Sequence, residues 1–158
     1  MKPAVFKILT LIFLIFSVIA CSKNNAGTTV TPPKSNTTLL TQSAWKIQTV
    51  ALDTNKDGKA DLDATASLPA CKLDNAYTFK ADSTGLMDEG IVKCNSTDPQ
   101  TVAYTWTFKN NQTILSGTFS FTNGDAKIVS MNDANLIVTY DDNLGTTTTY
   151  HIIATLKH

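Results

Sequence analysis

Apolar and polar side chains alternate along many short segments of this 158-residue chain, and this feature most limits what the chain can fold into. The segment 101–109 shows it best, because every second position carries a large apolar residue: Val102, Tyr104, Trp106 and Phe108. Alternation over four to eight residues is typical of antiparallel strands that bury one face. Pairs of Asn, Asp and Gly, which favour turns, separate the segments. The pattern therefore predicts an all-β fold.

The spacing of these segments predicts a small closed barrel over residues 39–158. We predict strands near 44–52, 75–81, 85–93, 101–109, 112–116, 117–122, 125–131, 135–141 and 146–156. The segments 112–116 and 117–122 are expected to merge across Gly117, and a short helix around 38–43 to precede the first strand. About eight short antiparallel strands joined by hairpins fit an up-and-down barrel. A two-sheet sandwich is the main alternative.

Residues 1–20 have the composition of a secretory signal peptide. Lys2 and Lys7 precede an almost wholly apolar run over 8–20, which is shorter than the roughly 20 residues that a bilayer span needs. The end of this run, Val18-Ile19-Ala20-Cys21, resembles the lipobox of bacterial lipoproteins. That resemblance implies cleavage after Ala20 and attachment of lipid to Cys21.

Residues 21–38 are rich in Thr, Asn and Pro and contain almost no large apolar side chain. Such a segment buries too little surface to offset the entropy cost of ordering, so we predict a disordered tether. The expected location is the bacterial outer membrane, with the domain held by its lipid anchor. The domain is expected either on the periplasmic side of this membrane or on the cell surface.

A wider resemblance joins these features. The order of lipobox, polar tether, Trp45, then Cys71-Lys72-Leu73-Asp74-Asn75-Ala76-Tyr77-Thr78-Phe79 and Lys93-Cys94 is similar to the lipocalin-like lipoproteins of Bacteroidota. The similarity covers most of 39–156. It implies a calyx-type barrel that acts as a binding or interaction module of the cell envelope, and it names no ligand.

The charged residues argue against several classes of function. The chain has 13 lysines, no arginine and 13 acidic residues, of which Glu89 is the only Glu, so its formal net charge is zero. A nucleic-acid-binding protein would carry a basic patch, and we expect no nucleic-acid partner. Histidine occurs only at 151 and 158, and no nucleophile and base are brought together by the sequence. We expect a monomeric protein that is not an enzyme.

Two cysteines remain once Cys21 is assigned to lipid. Cys71 and Cys94 flank the predicted hairpin of strands 75–81 and 85–93, whose antiparallel return brings its ends together. An even pair in an exported protein predicts a disulfide. A redox-active or metal-binding pair is the alternative, and no CxxC spacing or neighbouring His favours it.

One motif in the sequence is typical of metal binding. Residues 53–63 read D-x-N-x-D-G-x-x-D-x-D, which places oxygen ligands where a Ca²⁺ loop needs them. The candidate ligands are Asp53, Asn55, Asp57, the backbone of Lys59 and Asp61. Position 12 of the motif, which should hold a bidentate carboxylate, is Ala64, so binding would be weak, with a dissociation constant on the order of 10⁻⁴–10⁻³ M. An ordinary solvated hairpin loop has the same composition and stays as the alternative.

The aromatic residues are candidates for lining a ligand cavity inside the barrel. The set is Trp45, Phe79, Tyr104, Trp106, Phe108 and Tyr140, and its candidate ligand is a small apolar molecule. A short barrel can instead be filled by its own side chains. The alternative functions are a structural accessory lipoprotein that contacts an envelope protein without a ligand pocket, a hydrolase inhibitor, and a carbohydrate-binding module.

Overall fold

The computed structural model describes residues 32–122, 124–144 and 146–158. The predicted signal peptide, Cys21 and most of the predicted tether lie outside the described residues. All strands, the core and the disulfide belong to one compact unit, Pro33–His158. A unit with its own core has what it needs to fold alone. Among the described residues, no helix has the length and apolar character required to cross a membrane.

The fold is a closed antiparallel barrel, as the alternation predicts. The strands are β1 (Trp45–Leu52), β2 (Leu62–Asp63), β3 (Ala76–Phe79), β4 (Thr84–Asp88), β5 (Thr101–Lys109), β6 (Ile114–Gly117), β7 (Asp125–Met131), β8 (Asn135–Asp142) and β9 (Tyr150–Lys157). From β3 to β9 each strand pairs with the next in the chain, β3 pairs with β1, and β9 pairs back with β1. This closes an eight-stranded up-and-down barrel of lipocalin-like type, with β2 as a short addition to β1.

In the described part of the chain, three short helices accompany the strands: α1 (Asn36–Thr41), a 3-10 helix (Thr65–Ser67) and α2 (Ala70–Leu73). Helix α1 begins where the hydroxyl of Ser35 accepts a hydrogen bond from the Thr38 amide at 3.1 Å, as is usual for an N-cap. Its Leu40 is fully buried, and the Leu40 carbonyl accepts the indole N–H of Trp45 at 2.9 Å. Helix α1 therefore covers the barrel end at which β1 starts. We call the other end, where β1 finishes, the open end.

The strand that pairs with β1 on this side of the barrel changes along the length of β1. The first residues of β1, Trp45 and Lys46, pair with β3, whereas its last residues, Ala51 and Leu52, pair with β2. At the open end, the gap between β1 and β3 is therefore occupied by the connection from β2 to α2. This connection, residues 62–72, is called the wall segment below.

The part of the barrel nearer the end that α1 covers is filled by aromatic rings. The ring of Phe79 meets those of Tyr104, Trp106 and Phe119 edge to face, with centroids 5.4, 5.8 and 5.9 Å apart. The polar atoms of two of these rings are satisfied, since Tyr104 Oη donates to the Thr78 carbonyl at 2.8 Å and Trp106 Nε1 to the Lys80 carbonyl at 3.0 Å. We refer to Phe79, Tyr104, Trp106 and Phe119 as the aromatic plug.

The predicted strand over 117–122 is wrong. β6 ends at Gly117, and the following residues turn so that the rings of Phe119 and Phe121 enter the barrel. A Cβ on Gly117 would lie 2.5 Å from the Phe119 ring, so glycine is what lets this ring fold back. The predicted strand 85–93 is also too long. It stops at Asp88, whose carboxylate accepts the Gly90 amide at 2.9 Å where Gly90 takes a φ of +72°.

Candidate functional site

A cavity of about 750 Å³ occupies the open end of the barrel. Much of its aliphatic and aromatic lining comes from β1, the wall segment and the connection after β6: Ile47, Val50, Leu52, Ala64, Leu68 and Phe121. Leu62 and Leu144 lie at its mouth and are 57% and 39% exposed. Apolar lining with a few polar groups is typical of sites that hold small organic molecules.

Hydroxyl groups supply the polar contacts inside the cavity. Tyr77, Ser120 and Tyr140 all line it, and Tyr77 Oη lies 3.4 Å from Ser120 Oγ. Ser120 Oγ in turn donates to Met87 Sδ at 2.9 Å. Burial raises the pKa of both tyrosines above the usual value. Both therefore stay protonated at neutral pH and are able to donate to a bound molecule.

Among the described residues, three charged side chains also line the cavity: Asp63, Lys72 and Asp142. The carboxylate of Asp63 accepts the Thr65 amide at 2.8 Å, and that of Asp142 accepts the Leu144 amide at 2.9 Å. Hydrogen bonds from the Thr65 side chain and backbone lower the pKa of Asp63, so it is ionised at neutral pH. The mouth thus carries two carboxylates and one ammonium group.

The wall segment is fixed to the barrel at several points. The Ala64 amide donates to the Val50 carbonyl at 2.8 Å, and Thr65 Oγ1 accepts the Val50 amide at 2.9 Å. The predicted disulfide between Cys71 and Cys94 is confirmed, with Cα atoms 5.0 Å apart. It ties the end of the wall segment to the connection between β4 and β5, so the wall on this side of the cavity is covalently linked to the rest of the barrel.

The structure separates the predicted cavity-lining residues into two groups. Tyr140 lines the cavity, whereas Phe79, Tyr104 and Trp106 belong to the aromatic plug. Phe108 packs on Trp106 with ring centroids 5.3 Å apart, and Trp45 is buried beneath α1. These five side chains all point inward, but they lie in the part of the barrel that aromatic rings fill. Sequence reasoning missed the aliphatic side chains of β1 and the whole wall segment, for which no sequence signal separates cavity from core.

The candidate calcium loop forms a tight turn around Asp53, which is 1% exposed. Its carboxylate accepts the amides of Asp57 and Gly58 at 3.1 and 2.8 Å. Asn55 Oδ1 accepts the Asp57 amide at 2.9 Å, and Asp57 Oδ1 accepts the Lys59 amide, also at 2.9 Å. Four of the five candidate ligand residues are therefore joined in one hydrogen-bonded turn.

The fifth, Asp61, faces a different partner. Its Oδ2 accepts the hydroxyl and the amide of Thr54 at 2.6 and 2.7 Å, and these bonds lower the pKa of Asp61. Across residues 32–158, apart from 123 and 145, no three carboxylate, imidazole or thiol groups are gathered as they would be around a metal ion. The side chains of this loop here serve to hold its backbone.

One buried acid was not expected from the sequence. Glu89 is 7% exposed at the end of β4, and its Oε2 has no hydrogen-bond partner within the described residues. Its negative charge acts on Tyr77, where it favours the protonated phenol. A buried carboxylate with an unsatisfied oxygen lowers stability unless a donor or cation is brought close to it.

No protein-family model matches the chain, and no curated protein matches it either.

Proposed function

We propose that this protein is a lipid-anchored lipoprotein of the bacterial outer membrane, of the lipocalin-like kind found in Bacteroidota, whose barrel binds a small, largely apolar molecule. The cavity at the open end is the observation that carries the binding function. The lipobox-like sequence that ends at Cys21 supports the anchor. The polar tether then holds the barrel near the membrane surface.

The size and the lining of the cavity support binding rather than catalysis. About 750 Å³ lies within the range of roughly 300–1,000 Å³ that small-molecule sites occupy. Neither histidine lines it: His151 Nδ1 lies 2.6 Å from Asp141 Oδ1, and the ring of His158 packs on Trp45. The hydroxyls of Ser67 and Ser120 therefore have no imidazole base beside them in the cavity. We propose that the protein is not an enzyme.

The binding function is tested with N-phenyl-1-naphthylamine, an uncharged probe whose fluorescence rises in apolar surroundings. We expect saturable enhancement with the unit Pro33–His158. Ser67 lines the cavity and is exposed, so Ser67→Trp places an indole at the entrance and should weaken probe binding about tenfold or more. Tenfold corresponds to about 1.4 kcal/mol of binding free energy.

Ser130→Trp is the matched control for this substitution. Ser130 is exposed on β7 and does not line the cavity, so this variant should bind the probe like the parent protein. Equal binding by both tryptophan variants would place the probe elsewhere on the surface. Absence of any enhancement would contradict a ligand-binding function.

A protein partner is the second candidate function, and the two leucines at the mouth favour it. Leu62 and Leu144 are both exposed, and both line the cavity. Exposed apolar residues around a concavity are common at interaction sites. The large apolar side chains that are exposed among the described residues are all aliphatic. Carbohydrate-binding modules use exposed aromatic rings, so a carbohydrate ligand is not proposed.

We also propose that the loop 53–61 takes up Ca²⁺ weakly. The turn around Asp53, with Gly58 at a φ of +84°, supports this role. If the dissociation constant lies near 10⁻⁴–10⁻³ M, 2 mM CaCl2 stabilises the fold by about 0.6–1.8 kcal/mol. A thermal melt should therefore show a midpoint several degrees higher in CaCl2 than in EDTA.

Asp57→Ala should abolish this calcium-dependent shift, because Asp57 is a candidate ligand. Asp98→Ala removes the same charge from another exposed connection and should retain the shift. A melting temperature that is the same in CaCl2 and in EDTA would leave the loop as a solvated hairpin.

A further inference from the structure

We infer that the molecule bound in the cavity is a cation: an organic amine whose apolar body lies in the barrel and whose ammonium group lies at the mouth, between Asp63 and Asp142. This inference rests on the proposed ligand-binding function and adds the chemical class of the ligand.

The first support is the placement of the two carboxylates. Asp63 and Asp142 both line the cavity, one from β2 and the other from the end of β8. Each is oriented by a hydrogen bond from a backbone amide two residues further along the chain. Their charge is therefore fixed at the opening before a ligand arrives, which lowers the cost of binding a cation there.

The second support is the distribution of charge over the whole barrel. The connections at the open end, with the strand residues that border them, hold ten of the thirteen acidic residues and four lysines. A fifth lysine, Lys109 of β5, pairs with one of these acids, Asp125, at 2.9 Å, so an excess of negative charge remains. A concave site with an excess of one charge attracts ligands of the opposite charge and raises their local concentration. The open end is therefore selective for cations even before contact is made.

The third support comes from the surroundings of Tyr77; Glu89 itself does not line the cavity. The unsatisfied carboxylate oxygen of Glu89 lies at the same end, and its charge acts on Tyr77, which lines the cavity. The rings of Tyr77 and Phe121 meet edge to face with centroids 5.0 Å apart. Aromatic faces attract ammonium groups. Both features favour a positive charge on the ligand and oppose a negative one.

Of the described residues that line the cavity, Lys72 is the one that opposes this inference. It projects from α2, and a ligand carboxylate would find its ammonium group there. That carboxylate would also meet Asp63 and Asp142, so the balance at the mouth remains negative. Lys72 should therefore weaken the binding of an amine, and its removal should strengthen it.

The test uses three probes with one ten-carbon chain and different head groups: decylamine, decanol and decanoate. Isothermal titration of the unit Pro33–His158 at pH 7 should give the tightest binding for decylamine, with decanoate about tenfold weaker or more and decanol between them. Added NaCl should weaken the binding of decylamine more than that of decanol, since salt screens charge at the mouth.

Three substitutions locate the effect. Asp142→Asn keeps an oxygen for the Leu144 amide and should weaken decylamine binding about three- to tenfold while leaving decanol unchanged. Asp98→Asn removes one charge from the same end without touching the cavity and should change decylamine binding by less than twofold. Lys72→Gln should tighten the binding of decylamine.

The outcomes separate this inference from the proposed function. Tighter binding of decanoate than of decylamine, or equal binding of all three probes, would overturn the inference and leave a ligand-binding barrel. Decylamine that binds Ser67→Trp as well as the parent protein would place the amine on the acidic surface and also overturn it. If none of the three probes binds, the ligand-binding function itself fails.

Discussion

Replacing Phe79 with alanine is expected to lower the free energy of unfolding by about 3–5 kcal/mol, the usual cost of truncating a buried aromatic ring. Phe79 is 1% exposed and touches each of the other three rings of the aromatic plug. Its removal leaves a void that rigid neighbouring rings cannot fill. Urea unfolding of Pro33–His158, followed by tryptophan fluorescence, should show a midpoint lower by about 2 M.

Phe108→Ala is the matched control, because it deletes the same ring at the edge of the same cluster. Phe108 is only partly buried and contacts Trp106 from one side. Its loss should cost clearly less than that of Phe79. Equal losses of unfolding free energy in the two variants, or a Phe79→Ala protein as stable as the parent, would contradict a tightly packed aromatic plug.

The strands whose bounds the sequence predicts best are β5 and β7. β5 and β7 begin and end where the pattern over 101–109 and 125–131 predicts. In β5, Tyr104 and Trp106 are buried and Phe108 is half-buried on one face. In β7 the alternation holds only as far as Ile128, because a bulge before Ser130 shifts the register. The period of two therefore identifies the buried face, and the turn-forming residues that flank both segments mark where the strands begin and end.

The segments that the sequence does not predict are those whose conformation depends on distant contacts. Phe119 and Phe121 alternate as in a strand, yet they belong to an irregular connection that turns both rings into the barrel. Alternation reports that two side chains point inward, and an irregular segment can satisfy it equally well. The wall segment carries no periodic signal at all, and its position depends on hydrogen bonds to Val50 and on the disulfide.

The same reasoning explains why the candidate site was only partly predicted. Tyr140 and Tyr104 both point into the barrel, but Tyr104 belongs to the aromatic plug, whereas Tyr140 lines the cavity. The two tyrosines differ in their position along the barrel axis. Strand register and the inward turn of Phe119 determine that position. Neither can be derived from which residues are apolar. The disulfide was predictable because antiparallel pairing alone brings the ends of the β3–β4 hairpin together.

Replacing Cys71 and Cys94 together with serine is expected to lower the free energy of unfolding by about 3 kcal/mol. The disulfide joins residues 23 positions apart, and its loss returns the entropy of that loop to the unfolded chain. For a domain of this size the melting temperature should fall by about 10 °C. Thermal melts of the parent protein under oxidising conditions and of the double variant measure the difference, and equal midpoints would refute the stabilising role.

The double variant should nevertheless bind N-phenyl-1-naphthylamine within twofold of the parent affinity at 20 °C. The carboxylate of Asp74, just after α2, accepts the amides of Ile91 and Val92, each at 2.8 Å, and so joins the same two segments as the disulfide. The folded wall therefore has a second attachment, and the disulfide acts mainly on the unfolded chain. A double variant that melts at the parent temperature but loses the probe would reverse this account, because the disulfide would then shape the cavity and leave stability unchanged.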